Sequence, residues 1–167
     1  NFKNDYTKLF FLLFSEVTKK PTQSNILAFK QVLSKFGSSN KSGLGQLFQI
    51  LPSLKKTNFL YSSLIMLRTL YKVCSDSIDK NVSAVFNYAK AAVSNSSEKI
   101  QIAALRLLQV LVCEPEVQNK KVLTIVQKVF SNCKSKFIEI ICAELVAHCA
   151  AQHFLRQMDE KPKTEET

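Results

Sequence analysis

The chain has 167 residues, 46% hydrophobic and 22% charged, with 3 Gly and no Trp, a composition that excludes a disordered or collagen-like polypeptide. A chain of this length buries roughly 68–70% of its unfolded surface, enough for one domain with its own core, which is expected over residues 1–156. The net charge is +10 and is unevenly spread: no acid lies between Glu16 and Asp76, whereas Gln157 to Thr167 carries four acids and two lysines.

The first helix is predicted over 5–19, where Leu9, Leu12, Leu13 and Val17 recur at helical spacing before Pro21-Thr22 breaks the run. Helices follow over 22–36, closed by Gly37-Ser38-Ser39, and over 43–52, closed by Pro52-Ser53. The next pair is predicted over 57–74 and 79–93, separated by Ser75-Asp76-Ser77. The last three span 97–113, 117–131 and 135–154, with Glu114-Pro115 and Ser131-Asn132-Cys133 as the breaks. Residues 157–167 are expected to be a disordered polar tail, and no segment alternates as a strand would. The longest apolar stretches, Leu9 to Phe14 and Leu105 to Cys113, fall far short of the roughly 20 residues of a membrane helix. No membrane span is therefore expected. The run near Asn1 lacks a signal-peptide cleavage site, so it reads as a helix of a fragment or processed product.

The chain repeats itself at a shift of 38. Ile102-Ala103-Ala104-Leu105-Arg106-Leu107-Leu108 aligns with Leu64-Ile65-Met66-Leu67-Arg68-Thr69-Leu70 and with Ile26-Leu27-Ala28-Phe29-Lys30-Gln31-Val32. One period later it meets Ile140-Ile141-Cys142-Ala143-Glu144-Leu145-Val146. Each copy has four apolar places, then a charge, then an aliphatic at the seventh. The preceding helices share columns too: Leu9, Leu47, Val85 and Leu123, and Leu12, Ile50, Tyr88 and Val126. The repeating unit is a helix pair that cannot bury its apolar face alone, so units stack.

Ser97 to Val112 and Ser135 to Ala150, with Ser at the helix start followed by the aliphatic series, resemble the second helix of HEAT or armadillo-like repeats. The resemblance covers residues 5–154. It implies an all-α, right-handed α-solenoid of about four two-helix repeats, at 5–36, 43–74, 79–113 and 117–154. It also implies an architecture used mostly to bind proteins or nucleic acids.

Within that expectation, the wet stripe of the second helices holds Lys30, Arg68 with Lys72, and Arg106, a basic ladder suited to gripping carboxylates or phosphates. A second basic set, Lys19-Lys20 and Lys55-Lys56 with Lys134 and Lys136, falls at the turns within the first, second and fourth pairs. These residues predict a non-catalytic scaffold that binds an acidic segment of a partner protein, as a fragment or subunit of a larger assembly. Nucleic acid is the alternative partner, since an acid-free half attracts phosphates; among the aromatics, Phe36, Phe59 and Tyr61 are the candidates for stacking. Tubulin is a third reading, because the turn edge resembles that of tubulin-binding TOG domains. The apolar first helix is expected to be covered by further repeats or a partner chain.

Five cysteines with no repeated CxxC spacing predict buried reduced thiols and an intracellular protein. Both histidines lie in the last helix, and Cys149 with His153 and Cys142 is too sparse a set for a closed metal site. No enzyme activity, cofactor or metal is predicted.

Overall fold

The computed structural model describes residues 12–17, 19–20, 22–36, 59–74 and 81–159. Among the described residues every regular element is helical: α1 over 12–17, α2 Gln23–Phe36, α3 Leu60–Cys74, α4 Val82–Val93, α5 Glu98–Leu111, α6 Asn119–Asn132 and α7 Lys136–Asp159. The fold is all-α. Helices α2 to α7 each start within three residues of the predicted start. The helix predicted over 43–52 and residues 5–11 of the first lie outside the described residues.

Local chemistry explains the boundaries. Ser97 precedes α5 in an extended conformation, and Glu98 sits in the first turn, where the exposed N–H groups favour a negative charge. The Asn95 side chain accepts the Ser97 N–H at 2.9 Å and so closes the turn between α4 and α5. Cys133, extended at ψ 147°, stops α6.

Packing follows the helix pairs. α2 lies on α3, α3 on α5 and α5 on α7, so the second helices of successive pairs form one continuous layer. α4 packs on α5 and α6 on α7, each a first helix against the second helix of its own pair. The core runs along the layer through Leu64, Leu67 and Leu70 of α3, Ala104, Leu107 and Leu111 of α5, and Ile141 and Leu145 of α7, all buried. Full burial of each such Leu or Ile contributes about 1.5–3 kcal/mol. Phe14 and Phe29, with ring centroids 6.2 Å apart, tie α1 to α2. A buried hydrogen bond of 2.6 Å joins Ser63 of α3 to Tyr88 of α4. Ser63 also donates to the Leu60 carbonyl at 2.8 Å, which leaves Tyr88 as the donor to Ser63.

The expectations need correction in three places. α7 does not stop at residue 154 but runs unbroken to Asp159, into the segment read as a tail. It is also long and apolar enough, by length and composition, to cross a membrane, although Glu139, Glu144 and His148 interrupt its apolar run. Ile138, Ile141, Cys142, Leu145 and Cys149 of this helix are nonetheless in the core. Finally, Cys142 and Cys149 are buried as expected but Cys113 is exposed. Burial, and then Cys133, push the Cys142 thiol up to about 11, which keeps it protonated at neutral pH.

Candidate anion-binding groove

The charged residues that stand 38 apart in the sequence lie in the layer formed by α3, α5 and α7. Arg68 of α3 and Arg106 of α5, one period apart, line the same open groove of about 610 Å³. Ile65, Ile102 and Ala103 line it with apolar surface, and Tyr61, Lys99 and the carboxylate of Glu98 complete the lining. The Lys99 ammonium sits 4.0 Å from the centre of the Tyr61 ring, a cation held over a π face.

The two guanidinium groups have different surroundings. Arg106 forms an ion pair with Glu144 of α7, the residue one further period along the same column. Gln109 completes a triangle: its carbonyl oxygen accepts from Arg106 at 3.0 Å and its amide donates to Glu144 at 3.1 Å. Those hydrogen bonds, from Gln109 and then from Arg106, hold the Glu144 carboxyl below the usual carboxylate range. Where the column changes sign, the chain satisfies itself.

Between Arg68 and Arg106 the column does not change sign. Burial, and then the charge of Arg106, lower the pKa of Arg68, because desolvation and a like neighbour both penalise its cation. The Arg68 Nε is buried with no hydrogen-bond partner. A buried donor left unpaired costs about 1–3 kcal/mol, more for a charged group. The half-buried Arg68 side chain lining the groove can therefore meet an anion, whereas Arg106 is already neutralised by Glu144.

The other predicted residues are more dispersed. Lys72 is exposed on α3 one turn beyond Arg68. Lys19 and Lys20 are exposed at the end of the first helix, and Lys19 pairs with Glu16 at 3.5 Å. Lys30 lies in α2 with its side chain outside the described part of the structure, and Lys55 and Lys56 lie outside the described residues. Lys134 borders a second cleft of about 670 Å³ at the turn edge, together with Lys90 and Lys128. There Ser135 donates to Glu98 at 2.5 Å and ties the turn before α7 to the start of α5.

Two participants were missed from sequence. Lys99 lies seven residues before Arg106, two helical turns along the same face, so its spacing was a usable signal. Glu144 stands one period beyond Arg106, and opposite charges at that spacing suggest a bridge. Comparison with protein-family models, with curated proteins and with solved structures gives no match.

Proposed function

We propose that the chain is an intracellular, non-catalytic scaffold built as an α-solenoid of HEAT- or armadillo-like helix pairs, and that its α3–α5 groove binds an acidic segment of a partner protein. The stacking of α2, α3, α5 and α7 into one layer at a 38-residue spacing supports the solenoid reading. One observation carries the binding reading: Arg68 and Arg106 share a groove while the buried Nε of Arg68 has no hydrogen-bond acceptor. Arg68 costs stability in the free protein, and a carboxylate meeting its guanidinium recovers part of it. Nucleic acid, the alternative, draws its support from the net charge of +10 and the acid-free segment. The face of Tyr61 already carries Lys99, which leaves less of that ring for base stacking.

The test is Arg68→Gln. Binding of a fluorescent Asp/Glu-rich peptide is expected to weaken about tenfold or more, the loss of one charge-assisted hydrogen bond, while the thermal midpoint stays level or rises. Capture from a nuclease-treated extract at moderate salt should yield a discrete protein that the variant fails to hold. Undiminished binding by the variant, or capture of nucleic acid alone, overturns the reading.

A further inference from the structure

The cleft at the turn edge between the last two helix pairs takes no part in the binding proposed for the α3–α5 groove. Its volume of about 670 Å³ falls within the roughly 300–1,000 Å³ of small-molecule sites. α4 and α6 end at this edge, and α5 and α7 begin there. Carbonyl ends and N–H ends therefore alternate around the cleft and largely cancel as dipoles. Its polarity is left to the side chains.

Those side chains are of two kinds. Val93 of α4, Ile125 and Val129 of α6 and Ile138 of α7 are core residues, 3–9% exposed, that also form apolar lining. Lys90 of α4, Lys128 of α6 and Lys134 of the α6–α7 turn are exposed and complete it with three cations. Among the described residues none of these three lysines stands in an ion pair. The other polar groups nearby are already committed. Glu98, the one carboxylate of the lining, accepts from Ser135 at 2.5 Å. The Gln101 amide donates to the Val93 carbonyl at 3.1 Å, and Glu139, in the first turn of α7, pairs with Lys136.

Three unpaired ammonium groups around a concave surface concentrate anions there. A bare inorganic anion would leave the apolar lining wet, and a neutral hydrocarbon would leave the lysines without a counter-charge. An anion that carries hydrocarbon satisfies both parts. Glu98 also limits its length. The same residue lines the α3–α5 groove, so its carboxylate stands where groove and cleft adjoin. An acidic chain running from one into the other would have to pass that carboxylate, and like charges brought together cost affinity. A short ligand held within the cleft avoids it.

We propose that the cleft is a binding site for a small amphiphilic anion, a carboxylate on a hydrocarbon body, with its head at Lys90, Lys128 and Lys134 and its body against Val93, Ile125, Val129 and Ile138. The chain carries its own reporter, since Cys133 lines the cleft and the exposed Cys113 does not. Labelling of the 167-residue chain by N-ethylmaleimide, read by peptide mass spectrometry, is followed against decanoate below its micellar concentration. Decanoate is expected to cause a saturable loss of labelling at Cys133 and none at Cys113. Lys128→Glu with Lys134→Glu, both at exposed positions, should raise the decanoate concentration for half-protection about tenfold or more, as charge-assisted contacts are lost. Lys90→Gln, on a different helix, should shift it in the same direction. Arg68→Gln should leave it in place, which separates this site from the groove. Absence of protection overturns the proposal, as does equal protection of both thiols or a midpoint that the lysine variants do not move. Equal protection by decan-1-ol removes the charge from the reading, and equal protection by inorganic phosphate removes the hydrocarbon; either result overturns it.

Discussion

Glu144 occupies the point in the polar column where the sign reverses, and its chemistry is measurable as a pH dependence. Its folded pKa lies below the ordinary carboxylate value of about 4.3. Stability from this group is therefore complete above the unfolded pKa and lost progressively as pH falls through that value and then through the lower folded one. The thermal midpoint should decline below about pH 4.5, and Glu144→Gln should remove part of that slope while lowering the midpoint at pH 7. A variant with the same slope as the parent would show that other carboxylates carry it. Much of this was legible beforehand, since Arg106 and Glu144 stand 38 apart in one column. Gln109 was not: it is a buried polar residue on a face read as apolar, and only the approach of α7 supplies its partners.

Among the described helices, α5 is packed by α3, α4 and α7 together. Leu107 at its centre is fully buried. Leu107→Ala is expected to cost about 2–5 kcal/mol in chemical denaturation, the transfer of a buried side chain plus the cavity left behind. Leu123, in the column shared with Leu9, Leu47 and Val85, is 40% exposed on α6, and Leu123→Ala should cost less than about 0.5 kcal/mol. Equal losses at the two sites would contradict the packing order. The contrast shows the limit of a column argument. Val85 of α4, in the same column, is buried, but the place is apolar in both copies, and burial depends on whether a neighbour lies beyond it. The same limit applies to Val146 and Ala150 of α7, which are exposed although their counterparts Leu108 and Val112 are buried. The apolar helix expected to be covered lies at the other end of the chain, where Leu12 is exposed but Phe14 and Val17 are buried.

On the scale of the whole molecule, a net charge of +10 on 167 residues makes self-repulsion a term that salt can tune. Raising ionic strength from about 0.01 M to 0.15 M shortens the screening length from about 30 Å to 8 Å. The thermal midpoint should rise by a few degrees over that range while affinity for an acidic peptide falls, so stability and binding respond with opposite signs. A falling midpoint would mean that ion pairs such as Arg106–Glu144 outweigh the repulsion. The sequence by itself determined the all-helical class, the pairing of helices at a period of 38 and the column that holds Arg68, Arg106 and Glu144. These are properties of spacing along a helix, and spacing is written in the chain. Only the tertiary structure decided which guanidinium finds an acceptor, that Lys99 settles over Tyr61, and that α7 runs on with one side packed and the other open. Each of these depends on which surfaces meet after the helices stack, and a column is the same whether a neighbour covers it or water does.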